Sequence, residues 1–238
     1  MTVRRALAAD APQRAATQSD DDHGFMAGWR TIAASPGLRT LVTLMTLATL
    51  AVGVIQVLIK PILLPTVSTS EMGVIETVAA TGMLVGAALV TAWKSAQPTT
   101  LLAAGLAGSG AAMVLVPLGP GAWWMAACGF LPFASLPLSQ AGAEVLVRTR
   151  VDNARQARTW GTISLVTQMG YLVAYLCSGV VVDRVLQPLL EPGQALSTSI
   201  GAVIGTGPGR GAALLVGLMG LVMALVALGV HLRRRRLT

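Results

Sequence analysis

Charge is what this sequence lacks most. Only 11% of its 238 residues are charged while 54% are hydrophobic, whereas a soluble domain carries roughly 25% charged residues. So few charges cannot clothe a water-facing surface, which excludes a soluble enzyme and a soluble DNA-binding domain. The formal net charge of +7 would otherwise invite a nucleic-acid reading, but its placement along the chain speaks for a membrane. Cysteine is nearly absent: Cys128 and Cys177 make no disulfide framework and have no metal-ligand spacing. His23 and His231 are too far apart to suggest a metal site. No nucleophile–base pair and no metal constellation is visible, so neither an enzyme nor a cofactor is expected. Lysine is rare as well. Fifteen arginines against two lysines, with abundant alanine and glycine, suggest a GC-rich bacterial genome.

Long apolar runs are what is present. A bilayer core needs about 20 apolar residues in helix, and six stretches qualify: 40–59, 72–93, 100–118, 122–143, 160–182 and 212–231. Lipid offers no water to satisfy exposed backbone, so each must be helical. The expected fold class is an all-α membrane bundle of six spans. Fourteen of the seventeen basic residues fall before the first span, in the second-to-third and fourth-to-fifth loops, or in the tail; Lys60, Arg184 and Arg210 fall on the other side. The positive-inside rule then predicts that both termini are cytoplasmic. Residues 1–24 are polar and alanine-rich without an apolar signal region, which predicts a flexible segment. Residues 25–36 space Phe25, Met26, Trp29, Ile32 and Ala33 as an interfacial helix stopped by Pro36. The tail 233–238 holds Arg233–Arg236, a basic anchor against anionic lipid.

Polar groups inside lipid are costly, so their distribution is informative. Gln56 and Lys60 lie in and just after the first span, Glu76 in the second, Ser135, Ser139, Gln140 and Glu144 along and just past the fourth, and Thr167, Gln168, Tyr171 and Tyr175 in the fifth. Spans one, two, four and five are therefore expected to line a cavity, while three and six, nearly free of polar residues, are expected to face lipid. That split predicts a three-plus-three repeat of the kind found in transporter halves. Gly82 and Gly86, with Gly105, Gly108 and Gly110, predict close helix approach. Pro132 and Pro137 remove backbone donors from the fourth span. Residues 205–211 predict a tight glycine turn before the last span, since the strand and Lys-Ser/Thr ending of a phosphate loop are missing. A short interfacial helix is expected near 200–204.

Each polar residue has two readings. Glu76, about five residues or roughly 7 Å into its helix, is either a proton-coupling carboxylate or an acid favoured by the helix N-terminus. Gln56 and Lys60, one turn apart, either meet a substrate and pair with Glu71 or Glu76, or Lys60 snorkels to headgroups. Gln168, Tyr171 and Tyr175 form one stripe, a cavity wall or an interhelical seam. Glu144, Arg148 and Arg155 flank one loop, as a cytoplasmic gate network or as solvated charges.

Several stretches taken in order resemble a known family. Gly28-Trp29-Arg30 with Ser35-Pro36-Gly37-Leu38-Arg39 resembles the end of the central loop of major facilitator superfamily exporters, in the branch called transmembrane secretion effectors. Ile55-Gln56, Ile59-Lys60-Pro61, Gly82-Met83-Leu84-Val85-Gly86, Arg155 with Ala157-Arg158, Asp183-Arg184-Val185, Pro188-Leu189-Leu190 and residues 205–211 are similar to later parts of the same family. The resemblance covers residues 25–232 and corresponds to the C-terminal six of twelve helices. The loop 93–98 departs from the family in lacking its glycine and basic cluster. The resemblance implies a multi-pass protein of the bacterial inner membrane. It implies efflux of a small amphipathic molecule such as a peptide product, siderophore or macrolide, by proton antiport. It also implies a second six-helix half as partner, either an N-terminal half or a second copy of this chain, since alternating access rocks one half against the other. The alternative is a degenerate, non-transporting half that serves as scaffold or partner subunit.

Overall fold

The computed structural model describes residues 25–232 apart from 94, 120, 192, 195 and 196. The expected flexible segment 1–24 and basic tail 233–238 lie outside the described residues. All regular structure among the described residues is helical. Helix α1 covers residues 25–34. It is followed by α2 (Pro36–Leu63), α3 (Thr69–Ala92), α4 (Pro98–Leu115, extended by a 3-10 turn Val116–Leu118), α5 (Ala122–Arg148) and α6 (Asn153–Val181). A π-helical stretch Val182–Leu186 and one further turn, α7 (Gln187–Leu189), prolong α6; α8 (Ile200–Ile204) and α9 (Arg210–Leu232) complete the chain. Six of these helical segments are long and apolar enough to cross a membrane, which makes this a multi-pass membrane protein. The short helix expected near 200–204 is α8.

Local chemistry sets the ends. Ser35 caps α2, its hydroxyl accepting from the Leu38 N–H at 3.4 Å, and Pro36 enters at the first turn, where a missing N–H does no harm. Ser68 and Glu71 form a reciprocal capping box at the start of α3, with the Ser68 N–H and Oγ both 2.8 Å from Glu71 Oε2. α2 and the prolonged α6 overrun their apolar runs at both ends, whereas α3 overruns only at its start. The first span, expected at 40–59, belongs to a helix of 28 residues. The fifth, expected at 160–182, runs as Asn153–Leu189, because the polar turn 153–158 is helical outside the apolar stretch.

The packing order is simple. α2 lies along α6 and touches α9; α5 lies along both α3 and α4; α4 and α9 pack on each other, while α2 and α5 touch only sparsely. Glycine makes the close contacts. A Cβ at Gly220 of α9 would lie 2.6 Å from the Val114 backbone N and 2.7 Å from the Gly110 carbonyl oxygen of α4. On α3, a Cβ at Gly82 would sit 2.5 Å from the Phe130 carbonyl oxygen of α5. Backbones this close exchange dispersion contacts that lipid cannot match.

One expectation needs correction. The third span was expected to face lipid, yet 61% of its most apolar stretch is buried, against 22–39% for the other five spans. α4 is poor in polar groups because it is the packing centre, enclosed by α5 and α9 through its glycines, and not because it meets acyl chains. The sixth span is mixed: Leu218, Leu221, Leu225, Leu228 and Leu232 form an exposed stripe on α9, while Gly220, Met223 and Ala227 are buried.

Candidate functional site: a divided cavity between two helix pairs

Where α2 and α5 diverge, two cavities of about 330 Å³ each open between the α2–α6 pair and the α3–α5 pair. They share Val52 of α2 and Leu136 of α5, so the two compartments adjoin at these side chains. The compartment nearer the end where α2 begins is walled by α2, α4, α5 and α6 and includes Ser139, Gln140, Thr167, Gln168 and Tyr171. The farther compartment is walled by α2, α3 and α5 and includes Gln56, Lys60, Glu76 and Phe133. Helix α4 contributes only Leu102 and Leu106 to this space, and α9 contributes nothing to either compartment among the described residues.

Helical periodicity explains the grouping. Gln56 and Lys60 project from one face of α2, four residues apart; Gln168, Tyr171 and Tyr175 form a stripe along α6. Gly53 and Gly170 let α2 and α6 close on each other: a Cβ at Gly53 would meet Ala174 Cβ at 2.7 Å, and one at Gly170 the Thr46 carbonyl oxygen at 2.6 Å. That approach brings Tyr175 across to Gln56, its hydroxyl donating to Gln56 Oε1 at 2.8 Å. The Tyr171 and Tyr175 rings stand 6.0 Å apart in a tilted arrangement, within the usual range of aromatic pairs.

The charged candidates separate into four places. Lys60 and Glu76 line the same compartment but make no ion pair at 4.0 Å or less. Glu71 is occupied by the Ser68 cap. Glu144 and Arg148 face each other at 4.0 Å, both well exposed near the end of α5. Arg155 is not with them; it lines a separate pocket between α1 and α6 with Arg30 and Arg158. No group of three or more His, Cys, Asp or Glu side chains gathers among the described residues.

Gln56, Lys60, Glu76, Gln140, Gln168 and Tyr175 are all exposed, and Tyr171 is partly so. All of them but Tyr175, which bonds to Gln56, line the two compartments, whose walls are otherwise mostly apolar: a groove with a few polar side chains set in it. Such a groove can admit water, hydrogen-bond a small polar ligand and carry a titratable carboxylate.

A second cluster escaped the sequence reading. Gln187, in the turn after α6, donates from Nε2 to the Gly207 carbonyl at 2.9 Å and accepts from the Gly211 N–H at 3.1 Å. Gly205, Gly207 and Gly209 all have positive φ, from 78° to 122°, a region closed to most side chains. The expected tight turn is therefore built by three glycines and clasped by one glutamine. Only the glycines carried a signal; the partner lies about twenty residues upstream. Compared with family models, curated proteins and solved structures, the chain matches none.

Proposed function

We propose that this chain is one six-helix half of a major facilitator-type exporter, working with a second half to expel a small amphipathic molecule by proton antiport. The observation that carries the reading is the groove: six candidate polar side chains stand exposed within or at the ends of apolar spans, on one side of the bundle. Lipid would penalise each of them by up to several kcal/mol. A facing half-transporter would enclose them around water and substrate instead. Gln140, Gln168 and Tyr171 then contact substrate in one compartment, and Gln56 in the other, where Glu76 takes up and releases the proton beside Lys60. Glu144 and Arg148, at the opposite end, are the cytoplasmic gate in this reading; Arg155, expected with them, lies apart beside Arg30.

The contact order supports the three-plus-three repeat. Exchanging the first three spans with the last three maps α2–α6 onto α5–α3 and α2–α9 onto α5–α4, and leaves α4–α9 and α2–α5 unchanged. That pairing scheme is what two related three-helix units would produce. The basic residues on one side of the spans support cytoplasmic termini in a bacterial inner membrane.

In cells carrying both halves, E76Q should abolish outward transport of a macrolide or amphipathic peptide probe, with the protein still inserted at normal levels. Q168A should lower it by about tenfold, as lost positioning contacts do. Undiminished efflux in both variants would remove the proposed site and favour the scaffold reading. The loop 93–98, without a basic cluster, is what speaks for that rival.

A further inference from the structure

A second pocket of about 490 Å³ lies at the other side of α6, between it and α1, lined by Arg30, Arg155 and Arg158 with Gly28, Thr31 and Thr159. Two helix faces make it. Arg30 and Thr31 follow Ala27 by three and four residues on α1, and Arg158 and Thr159 follow Arg155 by the same spacings on α6. Gly28 brings these faces together: it is buried, and a Cβ there would lie 2.8 Å from the Arg158 carbonyl oxygen. The Thr162 hydroxyl, 3.3 Å from the Phe25 carbonyl oxygen, fastens the same crossing. The hydroxyls of Thr31 and Thr159 are turned onto their own helices, donating to the carbonyls of Ala27 and Arg155. Arg30 and Arg155 offer a ligand cationic partners here, and no carboxylate among the described residues belongs to the lining.

The place of the pocket says what anion suits it. It opens where the apolar stretch of α6 begins, two residues before Trp160. Phe25, Met26 and Trp29 are exposed on α1 beside it, and Trp93 is exposed at the end of α3; amphipathic aromatics mark the headgroup level of a bilayer. Cationic groups in a pocket with apolar side chains alongside match a phosphodiester that carries acyl chains, whereas a soluble anion has no use for the apolar part. Guanidinium forks are also well shaped for phosphate oxygens. We propose that this pocket binds the phosphate of an anionic phospholipid, held between Arg30 and Arg155, with its acyl chains along Phe25, Met26 and Trp29.

The test uses the whole chain in bilayers of phosphatidylcholine containing spin-labelled phosphatidylglycerol or, in parallel, spin-labelled phosphatidylcholine. The motionally restricted fraction reports lipid held at the protein. The expected result is preferential retention of phosphatidylglycerol, falling by on the order of tenfold in R30Q/R155Q. R30K/R155K should keep part of the preference, and R148Q, altered outside the pocket, should keep all of it. No preference in the unaltered chain, or a preference that survives R30Q/R155Q, overturns the proposal. So does displacement of the labelled lipid by inorganic phosphate beyond that caused by chloride at equal ionic strength, which would mean a site for soluble anions. A preference that appears only after Asp20, Asp21 and Asp22 are changed to Asn would assign the pocket to the chain's own acidic segment, and would likewise overturn it.

Discussion

The two sides of this bundle are built by opposite means. At the back, α4 and α9 meet through Gly110 and Gly220 so closely that an added Cβ on either would lie 2.6–2.9 Å from the other helix's backbone. At the front, α2 and α5 hardly touch, and the space between them holds glutamines, a tyrosine, a lysine and a glutamate. Small residues make a tight seam; polar residues stand where the helices part. An apolar helix poor in polar groups is therefore not by that fact a lipid-facing helix. In this chain it is the most enclosed one.

The contrast is broken most severely at the seam. G220L would drive a branched side chain into the backbone of α4, and it should destabilise the bundle by about 3 kcal/mol, the upper range of overpacking. G229L on the same helix, where nothing lies within 4 Å, should stay within about 0.5 kcal/mol, as surface substitutions do. Thermal unfolding of the two variants in detergent checks both. Equal effects of the two substitutions would mean that the close approach at Gly220 contributes nothing to stability.

A smaller effect belongs to the front. Y175F removes the 2.8 Å hydrogen bond to Gln56 and should cost about 0.6 kcal/mol, typical of such bonds between membrane helices. The same thermal assay reads it, and a loss as large as that of G220L would make the front as rigid as the back. The smallest effect is E144Q. Its pair with Arg148 is 4.0 Å long and exposed, so stability in the same assay should move by no more than about 0.5 kcal/mol.

The spans were legible because the bilayer imposes a length that a run of about 20 apolar residues satisfies. Their ends were not. Capping by Ser35 and Ser68 acts beyond the apolar run, and polar turns such as 153–158 remain helical in water. The cavity candidates were legible singly, since polar side chains within a span need a reason to be there. Their partners were not: the bond from Tyr175 to Gln56 joins residues 119 positions apart. Arg155 shows the same gap. Its neighbours in sequence suggested Glu144 and Arg148, whereas helix α1 folds back to set it with Arg30. Contacts between helices depend on which faces meet, and one sequence records faces without recording pairs.

The central claim is that the groove between the two helix pairs is a water-filled path and not a lipid-facing surface. It is tested most directly by cysteine labelling in intact membranes, in a C128A/C177A background. Cysteines placed at Gln168 and Glu76 should react rapidly with a membrane-impermeant maleimide, whereas one at Leu225, on the exposed stripe of α9, should stay unlabelled. Labelling of neither Gln168 nor Glu76, at rates no faster than Leu225, would contradict the account.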